Sequence, residues 1–123
     1  MKVREIFWGL LLVAAASPLG AGETMTIKVS PSVALAPATV FVRASVESNA
    51  ENRAIEVVVD SPDFYRSSRI ELEGADAPRT TVFELRNLPG GRYVVTTRLL
   101  GTSGQIRSAL HQLVNVVSPN EAR

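Results

Sequence analysis

The chain holds one histidine, His111, and no cysteine. That inventory bounds its chemistry. A zinc or copper centre takes roughly three or four nitrogen or sulfur ligands, and Met25 with His111 does not supply them. No metal and no other cofactor is expected. No Gly-x-Ser-x-Gly elbow surrounds any serine, and His111 falls inside an apolar run that reads as a strand. No catalytic residue is assigned, and the chain is expected not to be an enzyme. Asp60, Asp63 and Asp76 fall in loops, but calcium asks for roughly six to eight oxygens, and no dense Asp/Asn loop supplies them. Glu71 and Glu73 share a strand face with Arg69 and read as a solvated face. Glycoside hydrolysis needs two opposed carboxylates in a cleft, which a chain this short has little room to build.

The segment Phe64-Tyr65-Arg66 is the best binding candidate. Its residue types are enriched where interfaces are anchored. It lies between two strand patterns, so it is expected in a loop at one end of the fold, where binding residues commonly sit. Adjacent residues of an extended chain point to opposite sides. Phe64 and Tyr65 therefore cannot both fill the core, and one ring is expected outside beside the Arg66 fork.

The elements that must position these residues begin after a leader. Lys2 and Arg4 precede an uninterrupted apolar or small run over residues 6–16, and Ser17-Pro18-Leu19-Gly20-Ala21-Gly22 follows. Charged, apolar and small regions in that order read as a secretory signal peptide. The apolar run is short of the ~20 residues of a membrane span. Cleavage after Ala21 fits best, and an uncleaved N-terminal anchor is the alternative. The expected organisation is a signal peptide over 1–22, one domain over 23–117 and a polar tail over 118–123. Location follows as periplasmic or secreted, with no membrane attachment after cleavage.

Beyond the leader the domain holds eleven Lys plus Arg (thirteen less Lys2 and Arg4) and eleven Asp plus Glu (twelve less Glu5). Its net charge is zero, and its arginines are spread singly. A neutral surface has no long-range field to gather nucleic acid, so no nucleic-acid partner is expected. Without cysteine, no disulfide restrains the unfolded chain, and stability must come from burial.

The remaining pattern is short strands with turn punctuation. Residues 25–29 read as an edge strand interrupted by Pro31, with 33–35 continuing along that edge. Residues 39–47 alternate, with Val40, Val42, Ala44 and Val46 inward and Phe41 on the polar side. Strands follow over 54–60, 69–73, 79–86, 93–99 and 105–117. The last is long enough to hold a bulge, and Ile106, Leu110, Val114 and Val116 share one parity. Seven strands at such spacing predict an all-β, antiparallel, seven-stranded sandwich of Greek-key type.

The stretch Leu88-Pro89-Gly90-Gly91-Arg92-Tyr93 adds a motif. A Leu, a tight Pro-Gly turn and a Tyr opening a strand resemble the tyrosine corner of immunoglobulin-like and fibronectin-type-III-like sandwiches. Leu88, Gly90 and Tyr93 are its structural residues. The chain lacks the Cys pair and buried Trp of antibody-type domains, so the resemblance is to bacterial, cysteine-free modules of this kind. It implies recognition or structural roles and carries over no site residue. The expected function is an exported, non-catalytic binding or structural module of the bacterial envelope, with a protein or glycan partner. The alternative is a very small periplasmic enzyme or metal carrier.

Overall fold

The computed structural model describes residues 24–119. Both the leader expected over 1–22 and the last residues of the polar tail lie outside that range. Eight strands run in chain order: β1 (Met25–Ser30), β2 (Val33–Leu35), β3 (Ala38–Val46), β4 (Ala54–Ser61), β5 (Phe64–Glu71), β6 (Thr80–Leu88), β7 (Gly91–Leu100) and β8 (Ile106–Val117). They form a three-stranded sheet, β1-β3-β6, and a five-stranded sheet, β2-β8-β7-β4-β5. The chain is therefore an all-β sandwich of two sheets, as the alternating pattern predicts.

The alternation works because a strand sends successive side chains to opposite faces. In β3, Val40, Val42 and Ala44 are fully buried; in β4, Ile55, Val57 and Val59; in β7, Val95 and Leu99. These side chains meet between the sheets with Phe83, Leu85 and Leu88 of β6 and Val114 and Val116 of β8. Each such aliphatic residue contributes about 1.5–3 kcal/mol by leaving water. With no disulfide, this layer carries the stability.

Three features depart from the expectation. First, there are eight strands. Residues 33–35 do not extend the first edge. They cross to the other sheet and pair in parallel with β8, Val33 opposite Asn115 and Leu35 opposite Val117. Asn115 N donates to Ser32 O at 2.8 Å and Ala36 N to Val117 O at 2.9 Å, which pins the crossing at both ends. The sheet is thus mixed at its edge. Second, the strand expected over 69–73 begins at Phe64, and Leu72 is buried just beyond its end. Third, Ile106 is 58% exposed. Leu99 pairs with Ser108 but Leu100 with Ile106, so the extra residue, Arg107, is a bulge that reverses the facing of Ile106.

The end of the sandwich away from the corner is closed by polar groups. Asn52 is buried; its Nδ2 donates to Glu47 O at 2.9 Å, and its Oδ1 accepts from Arg107. Gly74 N donates to Asn52 O at 3.0 Å. Gly74 has a φ of 62°, and a Cβ there would stand 3.1 Å from Ala50 O. Glycine fits this left-handed position where a side chain would be strained.

Candidate functional site

The tyrosine corner forms as a bond. Tyr93 is buried, and its hydroxyl donates to Pro89 O at 2.5 Å. Leu88 is buried beside it. Gly90 leaves room for Ser118, since a Cβ there would lie 2.2 Å from Ser118 Oγ. Burial pushes the Tyr93 phenol above its ordinary value of 10.0, and the nearby Arg66 charge opposes part of that rise.

The candidate trio Phe64, Tyr65 and Arg66 does not sit in a loop. It opens β5, and the pleat divides it. Phe64 turns inward and meets Tyr93 edge to face, with centroids 5.8 Å apart. Arg66 also turns inward. Its guanidinium lies 5.0 Å from the Phe64 ring centre, and its NH1 donates to Arg86 O at 2.6 Å. Arg66 thereby ties the edge of one sheet to the edge of the other. Tyr65 alone faces out, 65% exposed.

Tyr65 belongs to a row that crosses the outer face of the five-stranded sheet. Leu113 pairs with Val94, Val94 with Asp60, and Asp60 with Tyr65. Leu113 is 67% exposed. Val33 and Leu35 of β2 are exposed beyond Leu113 on the same side. A shallow groove of about 490 Å³ runs there, lined by Ser32, Val33, Arg92, Val94, Leu113 and Asn115. The opposite end of this face is charged. Arg98 pairs with Glu56 at 3.0 Å, and Arg69 with Glu71 at 2.6 Å. His111 is exposed in the row between, opposite Thr96. The exposed apolar side chains of this face thus gather at its corner end, beside Asp60 and Arg92, and its ion pairs lie at the other.

The carboxylates do not converge. Asp60 lies near the end of β4, whereas Asp76 lies in the 3-10 turn Gly74–Asp76, whose Gly74 N bonds to Asn52 O just before β4 begins. Among the described residues no group of three or more His, Cys, Asp or Glu could hold a metal ion. Val94 and Leu113 are marked only weakly in the sequence. Each is an apolar residue on the polar parity of its strand, the same signal that marks Phe41.

No family model matches the chain, and no curated protein matches it in sequence. The fold has clear counterparts among solved structures. A superoxide reductase (neelaredoxin) from Ignicoccus hospitalis aligns with a TM-score of 0.63 at 20% identity, covering 79% of this chain and 82% of that one. The CopC protein from Methylosinus trichosporium aligns with a TM-score of 0.50 at 20% identity, over 77% of this chain and 95% of that one. The sulfur carrier protein SoxY from Chlorobium limicola aligns with a TM-score of 0.50 at 17% identity, over 76% and 79%. At these identities the likeness is one of fold. The chain is an all-β sandwich of the kind these proteins share.

One expectation falls with this comparison. The sequence carries no catalytic motif, and the expectation drawn from that is that the chain is not an enzyme. Superoxide reductases are enzymes and stand on the same sandwich. The architecture therefore gives no reason to set catalysis aside.

Proposed function

We propose that this chain is a small domain of the cell envelope, exported by its leader, that works by engaging a protein partner. Its working surface is the corner end of the outer face of the five-stranded sheet. The observation that carries this reading is the clustering of exposed apolar side chains. Val33, Leu35, Tyr65, Val94 and Leu113 all lie on that one end of that one face. Single exposed apolar residues need no explanation, but a group of them rimmed by polar side chains marks an interaction site; here Val94 pairs directly with Leu113, and Tyr65 stands across Asp60 from them. Arg92 and Asn115 supply such a rim.

A sulfur carrier protein stands among the similar structures, so carriage is one role that this kind of sandwich hosts. They do not bring a resident metal centre with them. The donor set does not fit one: a single His, no Cys, and no cluster of carboxylates among the described residues. Covalent carriage on a thiol has no residue here either. What the chain offers is a surface, and the tyrosine corner with its three-plus-five sheet order supports reading that surface as one of an immunoglobulin-like module. In this reading Tyr65 keeps the binding role expected of it, while Phe64 and Arg66 hold the wall behind it.

The test is site-specific photocrosslinking in cells. A photoreactive residue in place of Leu113 is expected to give a defined adduct, and one in place of Thr26, on the other sheet, is not. Leu113→Glu should abolish an adduct formed from position 33. Equal adducts from both faces, or none from Leu113, would overturn the assignment.

A further inference from the structure

The outer face of the three-stranded sheet carries a second, unrelated pattern. Lys28 of β1 stands directly opposite Arg43 of β3, and Arg43 directly opposite Val82 of β6. Like charges in direct cross-strand register repel and are ordinarily avoided. The usual remedy is a neighbouring carboxylate. Here the nearest in register is Glu84, opposite Phe41, and it is bound to Arg86 at 3.0 Å. Among the described residues no ion pair includes Lys28 or Arg43. Both are exposed. Two cations held side by side, with the local acid already paired to Arg86, make a positive site on this face.

The surroundings say what the partner resembles. In the next row Ser30 stands opposite Phe41. Lys28, Ser30, Phe41, Arg43 and Val82 line one shallow groove of about 440 Å³. Phe41 and Val82 are large apolar residues that sit exposed on the solvent side of their strands. The groove therefore joins two cationic groups and a hydroxyl to an apolar shelf. A guanidinium presents a planar fork that matches the oxygens of phosphate, sulfate or carboxylate. An ammonium beside it adds a point charge, and an aromatic face accepts the apolar side of a small ring.

We propose that Lys28, Arg43 and Ser30 form an oxyanion-binding site whose ligand is a phosphorylated or similarly acidic small molecule with its body on Phe41 and Val82. Inorganic phosphate and a sugar phosphate share the recognised group, and the shelf distinguishes them. The site lies on the sheet opposite the proposed docking face, so it stands or falls independently of that reading.

The experiment is a titration of isotopically labelled protein, followed by amide shifts, with chloride at matched ionic strength as the reference. The probes are inorganic phosphate, glucose 6-phosphate and glucose. Phosphate is expected to move the amides of residues 28, 30, 41, 43 and 82 together. Glucose 6-phosphate should bind about fivefold tighter than phosphate, and glucose should not bind. Arg43→Gln should weaken glucose 6-phosphate about tenfold, as the loss of one charge-assisted contact implies, and Lys28→Gln should weaken it less. Neither variant should lower the melting temperature without ligand, because each relieves the Lys28–Arg43 repulsion. Shifts that chloride reproduces, or an unchanged affinity for glucose 6-phosphate in Arg43→Gln, would overturn the site. Equal affinity for phosphate and glucose 6-phosphate would overturn the role of the shelf.

Discussion

The ring of Phe64 stands at 90° to that of Tyr93, with the two centroids 5.8 Å apart. This edge-to-face pair joins β5 to β7 within one sheet and closes the side of the core beneath Arg66. It also separates Phe64 from its neighbour Tyr65, which the pleat sends to solvent. Such pairs add ~0.5–1.5 kcal/mol beyond area burial. Phe64→Ala is therefore expected to lower stability by about 2 kcal/mol or more, because it removes packing as well as the pair. Tyr65→Ala should stay within about 0.5 kcal/mol of wild type. Urea unfolding of the two variants checks both. Equal losses would mean that the two rings share the core.

The corner hydroxyl gives a second expectation. Tyr93→Phe keeps the ring and removes the bond to Pro89 O, which leaves a carbonyl short of its donor. The expected loss is about 1 kcal/mol, read from the urea midpoint at unchanged slope. An unchanged midpoint would mean that water replaces the phenol at no cost.

The same phenol sets a pH dependence. Burial raises its folded pKa above the ordinary 10.0. The folded chain then binds the phenol proton more tightly than the unfolded chain does. Its contribution is complete below the unfolded value and falls as pH rises past about 10 toward the folded value. Stability measured from pH 9 to 11 should decline more steeply in wild type than in Tyr93→Phe. Parallel curves would exclude Tyr93 as the source.

Thr97 runs the other way. It is fully buried between the sheets, in register with Val57 and Leu110, and its Oγ1 has no hydrogen-bond partner. A buried hydroxyl without a partner costs about 1–3 kcal/mol. Thr97→Val is nearly the same shape and removes that cost, so it should raise stability by about 1 kcal/mol. A loss in thermal unfolding would show that the hydroxyl has a partner, such as a buried water.

Asn52 is the converse case, a buried side chain with each end engaged. Asn52→Ala strands the Glu47 carbonyl and leaves Arg107 without its acceptor. The expected loss is about 2 kcal/mol. Arg107→Ala should cost less, because it leaves the Glu47 bond in place. The order of the two melting temperatures decides this.

Much of the sandwich can be read from the chain because alternation is local. Val40, Val42 and Ala44 must share a face in any extended strand, and the same holds for Ile55, Val57 and Val59. The corner is equally local, since Pro89 and Tyr93 are four residues apart and one turn brings them together. The bulge at Arg107 is different. The length of the last strand allows one, but only pairing with β7 says where it falls, and so Ile106 turns outward against its parity. Residues 33–35 likewise carry no mark of which sheet they join, because that depends on β8, some eighty residues later.

The candidate surfaces divide along the same line. The sequence by itself determined that Phe64 and Tyr65 part company, since successive side chains of a strand oppose each other. It also determined that the chain holds one histidine and no thiol with which to build a site. Only the tertiary structure decided that Leu113, Val94, Asp60 and Tyr65 form one row, or that Lys28 faces Arg43. Cross-strand register joins residues far apart in the chain. It is fixed by how the two sheets bury their shared core, and a slip of one residue would turn each of these side chains to the other face.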